Sequence, residues 1–311
     1  MSYSPLQFFG FSGHETFPFR YGWLKKGVDA VRRNGSIFSA PDAIVTLGVG
    51  KNMVRAICHW CTVSGMIREV ETEKRRGKRF EVTPLADLVF GDNGCDPFME
   101  HQATLWLVHW QIASSYEKAT TWYHTFSNLN QPEFTREDII RLLMRAMDTP
   151  ERKPSRVSPN TIKRDVDCFI RTYVARTGLP GMSLEDSLEC PLAELELIVQ
   201  GDDPRFFRIN QACQSSIPDH IFAYTVADFR DRVFMDRASL TLEQLAYHAG
   251  SPGRLFRLSQ RSFIDKLERI GDYTGGAMSY SDSAGIRQVS MHEKVDGLRL
   301  LEDYYRRGCA R

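Results

Sequence analysis

Apolar residues recur at helical spacing over most of the chain and alternate only in short stretches, which predicts a mainly α protein with small β-hairpins. An amphipathic helix is expected over Gly22–Asn34, stopped by Asn34-Gly35. Ala40-Pro41-Asp42 opens a short helix to Leu47, and Gly48-Val49-Gly50 makes a turn. Lys51–Ser64 then carries Met53, Val54, Ile57, Trp60 and Cys61 on one helical face. Residues 66–70 and 79–83 read as strands joined by a turn centred on Gly77. Helix, tight turn, helix and hairpin is the order of a winged helix-turn-helix.

From Asp96 to Met147 the pattern is a helical set rich in Trp, His and Leu, with Trp106, Trp110 and Trp122 as candidate core. The basic, proline-bracketed stretch 150–159 interrupts it as a loop. Ser158-Pro159-Asn160 starts a further helix running to about Ala175, because serine caps and proline suits the first helical position. A third unit begins near Ser239, with a helix over Leu242–Ala249, a turn at 250–253, a helix over Ser259–Ile270 and a hairpin within 273–289. The expected architecture is tandem winged helix-turn-helix modules joined by a helical core. Its domains are 1–90, 91–238 with a second helix-turn-helix, and 239–311.

Composition narrows the class. The chain has 311 residues, 42% hydrophobic and 25% charged, which is the balance of a globular protein able to bury a core without staples. The best candidate span, Ala103–Ala113, is broken by Thr104, His109 and Gln111 and falls short of the roughly 18 apolar residues a membrane span needs. The amino terminus lacks a secretory pattern, and seven scattered cysteines suit a reducing compartment, so a cytoplasmic protein is expected.

A net charge of +1 excludes a wholly basic nucleic-acid coat, but the charge is unevenly spread. Lys51, Arg55, Arg68, Lys74, Arg75, Arg76, Lys78 and Arg79 face only Glu69, Glu71 and Glu73 across the first winged-helix candidate. There Asn52 and Arg55 suit base edges and the wing suits phosphates. Asn160, Lys163 and Arg164 form a second, weaker basic helix start, and Arg254, Arg257 and Arg261 a third. Each also reads as a solvated helix face. Acidic residues between Leu184 and Glu196 offset this basic charge.

Candidate chemistry is sparse. Cys58-His59-Trp60-Cys61 lies inside an amphipathic helix without a second CxxC, so buried thiols are favoured over a zinc site. The one Glu-x-Lys triplet, Glu151-Arg152-Lys153, sits in the proline-rich loop and not on a strand. No P-loop or GxSxG elbow occurs, which argues against an ATPase or an α/β hydrolase. What remains is His14, Glu15 and Arg20 in an aromatic setting. They could supply a base, a water or metal ligand and a phosphate clamp for phosphodiester cleavage. Equally, His14 and Glu15 could anchor an irregular segment onto the winged helix.

The run SGHETFPFRYGWLKKG, the stretch Gly50–Arg55 with the following Trp60, and GSPGRLF with a later TGG resemble a bacterial family known as a domain of unknown function, DUF4007. Its members accompany DNA phosphorothioation genes. The resemblance spans about residues 9 to 290 and implies the nicking component of the single-strand phosphorothioation defence system. Such a protein would act on double-stranded DNA with a cysteine desulfurase, an ATP-pyrophosphatase-type sulfur transferase and an ATPase. It implies no tightly bound cofactor, with a divalent metal such as Mg2+ serving the nick, and it carries over no catalytic residue. A homodimer is expected because helix-turn-helix proteins often pair on duplex DNA. A non-catalytic DNA adaptor and a winged-helix transcriptional regulator remain open on the residues alone.

Overall fold

The computed structural model describes residues 9–71, 77–148, 157–174, 190–210, 216–235, 237–283 and 285–309. Three helices open it: α1 (Trp23–Arg33), α2 (Ala43–Leu47) and α3 (Lys51–Val63). The antiparallel pair β1 (Ile67–Val70) and β2 (Arg79–Val82) follows, with Ile67 opposite Val82 and Val70 opposite Arg79. α1 and α3 pack together through Leu24, Val28 and Val31 on one side and Val54, Ile57, Trp60 and Cys61 on the other, all buried. The chain continues into α4 (Pro84–Phe90), where Thr83 caps the first turn and Pro84 sits at the first helical position.

The helical centre is α5 (Gln102–Ala113), in which every residue from Ala103 to Ala113 is buried. The apolar run that is too short for a membrane is therefore a core helix, hydrophobic all round because it is surrounded. Its polar side chains reach outward to different elements: Thr104 to Tyr305 (2.7 Å), Trp106 to Ser216 (3.0 Å), His109 to Tyr173 (2.8 Å), Trp110 to Asp228 (2.7 Å) and Gln111 to Tyr224 (2.7 Å). Among the described residues no helix is long and apolar enough to cross a membrane.

Around this centre run α6 (Thr120–Asn128), β3 (Glu133–Phe134), α7 (Arg136–Met147) and α8 (Pro159–Tyr173). A full capping box starts α7, in which Thr135 and Asp138 each accept from the other's backbone N–H. Ser158 caps α8 as its sequence predicts. β4 (Ile198–Gln200) and β5 (Phe207–Ile209) join β3 in a small antiparallel sheet of order β3-β5-β4, absent from the sequence reading. α9 (Asp219–Phe229) continues through one π-helical turn over Arg230–Phe234.

The last third comprises β6 (Ser239–Thr241), α10 (Leu242–Tyr247), α11 (Pro252–Leu255), α12 (Gln260–Glu268), α13 (Ile270–Thr274), β7 (Met278–Ser283), β8 (Ile286–Met291) and α14 (Gly297–Cys309). The hairpin expected within 273–289 is present as β7 and β8, with β8 running on to Met291, and β6 adds to it in the order β6-β8-β7. Two details differ. The expected turn at 250–253 leads directly into α11, because Ser251 accepts from the Arg254 N–H and Pro252 takes the first helical position. The expected helix over 259–270 breaks at Arg269 into α12 and α13. One continuous buried cluster runs from Phe19 to Leu301.

Gly250 shows how tightly this last unit is seated. Its φ of +79° suits glycine, and a β-carbon there would stand 2.9 Å from the Tyr123 ring. Its N–H donates to Ser127 Oγ (2.9 Å). Gly250→Ala is expected to cost about 1–3 kcal/mol, from the left-handed backbone and the displaced ring together. Urea denaturation checks this, and a loss below about 0.5 kcal/mol would show that the loop adjusts freely.

Candidate nucleic-acid interface

Residues 9–20 lack regular structure, yet they are tied down on three sides. Gly10 N–H donates to Thr120 Oγ1 (2.9 Å) on α6, and Trp60 Nε1 on α3 donates to the Phe17 carbonyl (2.9 Å). The third tie is Asp165 on α8, a fully buried carboxylate that accepts from Ser12 N–H (2.6 Å), from His14 Nε2 (2.8 Å) and from Thr121 Oγ1 (2.6 Å). His14 is itself buried, and its Nδ1 accepts from Thr16 N–H (3.0 Å). An acceptor at Nδ1 and a donor at Nε2 fix one neutral tautomer with both ring nitrogens engaged. Positive φ at Ser12, Glu15 and Thr16 records how sharply the backbone winds around this anchor.

His59 adjoins it. Its ring meets His14 edge-on at 5.8 Å and Trp60 at 5.3 Å, and a β-carbon on Gly13 would collide with the His59 ring at 2.3 Å. Burial, the neighbouring His14 and Lys118 push the His59 pKa down to about 3, against a smaller upward pull from Asp165. His59 is therefore neutral at pH 7. The sequence alone points to a structural CxxC helix and assigns this histidine no role. Its spacing of seven residues from Asn52 and four from Arg55 was the available signal, since these positions share one face of α3. The flanking thiols stay protonated: burial raises Cys58 to about 12 and Cys61 further.

The other candidates fall into three places. On α3 and the hairpin, Lys51, Asn52 and Arg79 are exposed without polar partners among the described residues. Arg55 pairs with Glu15 (3.2 Å), Arg68 with Glu81 (3.4 Å) and Lys78 with Glu69 (2.8 Å), all exposed ion pairs of small energetic weight. Lys74, Arg75 and Arg76 lie outside the described residues, as do Glu151, Arg152 and Lys153. Arg20 lies 5.7 Å over the Trp23 ring, on the same irregular segment as His14 and Glu15.

On α8, Asn160, Lys163 and Arg164 are exposed without polar partners among the described residues, and Arg171, two turns beyond Arg164, donates to the Thr16 carbonyl. Residues 12–16 thus touch α3 through Glu15 and Arg55 and α8 through Asp165 and Arg171. They join two basic surfaces that are far apart in sequence. The third cluster sits elsewhere. Arg257 is largely buried at the other end of α6, donating to the Thr125 (3.0 Å) and Leu129 carbonyls, and burial lowers its pKa to about 10. Arg254 donates to Asn130 Oδ1 (2.8 Å), while Arg261 is exposed.

A mainly helical chain with, among the described residues, three small antiparallel sheets is the class these features define. The chain matches the family described as Protein of unknown function (DUF4007) over residues 11–305, and it belongs to that family. It is similar to a solved structure called "SspB crystal structure", at 30% identity and a TM-score of 0.84, covering 97% of this chain and 89% of that one. It is also similar to "Magnesium ion-bound SspB crystal structure", at 29% identity and a TM-score of 0.85, with the same coverage. No curated protein matches it.

The magnesium of that second structure invites a test of fit around His14. Mg2+ needs free carboxylate oxygens in near-octahedral geometry. Asp165 already accepts three donors and Glu15 faces Arg55, so these residues do not fit the ion. Among the described residues no group of three or more His, Cys, Asp and Glu is arranged to hold a metal.

Proposed function

We propose that the chain is a DNA-binding component of a phosphorothioate modification and defence system, a nicking endonuclease that opens one strand for sulfur incorporation. α2, α3 and the β1–β2 hairpin act in this reading as a winged helix-turn-helix, with Asn52 and Arg55 towards base edges. Lys51, Arg79, Lys163 and Arg164 contact phosphates. The observation that supports it is the segment 12–16, which meets α3 through Glu15–Arg55 and α8 through Arg171 and the Thr16 carbonyl. The nicking step, the sulfur-transfer partners and the homodimer rest on the family resemblance.

One observation favours a second reading, a non-catalytic adaptor. His14 has its lone pair taken by Thr16 N–H, and His59 with a pKa of about 3 is a weak proton acceptor at pH 7. The test is incubation of the full chain with supercoiled plasmid, with and without Mg2+, beside duplex binding at several salt concentrations. Open circles lost in Glu15→Ala or His14→Ala support the nickase. Salt-dependent binding without breaks supports the adaptor. For either, Lys163→Ala with Arg164→Ala is expected to weaken duplex binding several-fold and to flatten the salt slope by up to about 1.8. Unchanged binding in that double variant removes α8 from the interface.

A further inference from the structure

The turn between α5 and α6 forms one wall of a cleft of about 320 Å3, and the opposite wall is Phe229, Val233 and the Ala249–Gly250 loop. The volume lies at the lower end of the range of small-ligand sites. Tyr116 and Tyr123 line it as an edge-to-face pair with ring centroids 5.0 Å apart, both half-buried, and Trp110 and Phe229 close its depth. The rim carries two cations, Lys118 and Arg232, beside one carboxylate, Glu117. Arg232 is held there by Asp228 (2.8 Å), by Gln111 Oε1 (3.0 Å) and by Ser114 Oγ. Lys118 is exposed and makes no hydrogen bond or ion pair among the described residues.

Aromatic walls beneath two rim cations suit a planar heteroaromatic ring bearing a phosphate. A guanidinium fixed by three partners is also pre-organised, so little side-chain freedom is lost when an anion arrives. The cleft's position adds a second argument. Lys118 is close enough to His59 to hold down its pKa, and a β-carbon on Gly10 would lie 2.2 Å from the Glu117 carbonyl. The segment that joins α3 to α8 therefore also packs against the cleft's wall. A strand lying on the α3 surface would have the cleft within reach of an unstacked base.

We infer that this cleft receives an unpaired nucleobase with its adjoining phosphate, the base against Tyr116 and Tyr123 and the phosphate at Lys118 and Arg232. The inference rests on the proposed DNA-binding reading, and it assigns the α3–α8 surface to duplex and the cleft to single-stranded character. The same chemistry could be presented by a DNA strand or by a free mononucleotide.

The experiment measures fluorescence-anisotropy binding of the full chain to an intact duplex, to the same duplex with a four-nucleotide single-stranded gap, and to AMP by competition. The wild type is expected to prefer the gapped duplex by roughly tenfold, the scale of one base stacked on an aromatic ring. Tyr116→Leu is expected to abolish that preference and leave intact-duplex affinity within twofold. Lys118→Ala, at an exposed position that does not endanger folding, should reduce it by several-fold. Displacement of the gapped duplex by AMP, lost in Tyr116→Leu, supports the same site. AMP binding that depends on Tyr116 without any gap preference assigns the cleft to a free nucleotide instead of a strand. Equal affinity for gapped and intact duplex together with no AMP binding overturns the inference while leaving duplex binding standing. No binding to any DNA overturns the reading beneath it.

Discussion

Asp165→Ala is expected to destabilise the chain by about 3–5 kcal/mol, the scale of leaving three buried donors without an acceptor at roughly 1–3 kcal/mol each. The carboxylate accepts from Ser12, His14 and Thr121, and all three donors would lose their acceptor where little water can replace it. The conservative variant separates this from a general packing effect. In Asp165→Asn the amide oxygen can keep Ser12 and His14 while its NH2 donates to a rotated Thr121 hydroxyl, so a loss nearer 1 kcal/mol is expected. Urea unfolding of both variants at pH 7 measures the difference. Equal losses would mean that the network contributes packing only. Because the network holds residues 12–16 against α8, duplex binding should fall in Asp165→Ala even under conditions where the chain remains folded.

The second large effect is a dependence on acid. His109 is buried in α5, with Nδ1 beside the Tyr173 hydroxyl and Nε2 donating to the Leu255 carbonyl (2.9 Å). Burial lowers its pKa from 6.5 to about 4, against a smaller upward pull from the Leu255 carbonyl. Between those values the unfolded chain binds a proton that the folded chain refuses, so stability is full above pH 6.5 and falls as the pH drops towards 4. From His109 alone the loss is about 2 kcal/mol by pH 5 and about 3 kcal/mol by pH 4. His59, lowered to about 3, adds to it in the same direction. Unfolding free energies at pH 7, 6 and 5 test this, together with a shallower slope in His109→Gln. A flat profile from pH 7 to 5 would place water beside His109.

Local signals carried much of the fold. The spacing of Val54, Ile57, Trp60 and Cys61 places the buried face of α3, and Ser158-Pro159 marks the start of α8. The Ser251-Pro252 pair is the same signal, but the glycines on either side read as a turn and hid the four-residue α11. The β3-β5-β4 sheet has strands of two or three residues, too short to show a period of two. The site divides in the same way. Residue types placed cations on α3, the hairpin and α8, but pairing distance is non-local, so neither Glu15–Arg55 nor His14–Asp165, 151 residues apart, is visible in the sequence. Arg257 illustrates the opposite case. A basic residue beside a turn reads as exposed, whereas its guanidinium is committed to the end of α6.

The central position of α5 also bears on how the protein is made. Its eleven buried residues are matched by partners on α8, α9, α11 and α14, the last through Thr104 and Tyr305, which are 201 positions apart. During synthesis α5 leaves the ribosome with an apolar surface on every side and without the elements that cover it. Its cover arrives piecemeal, α6 and α8 first, then α9 and α11, and Tyr305 of α14 last, so this apolar stretch is the part of the chain left exposed while its partners are still being made.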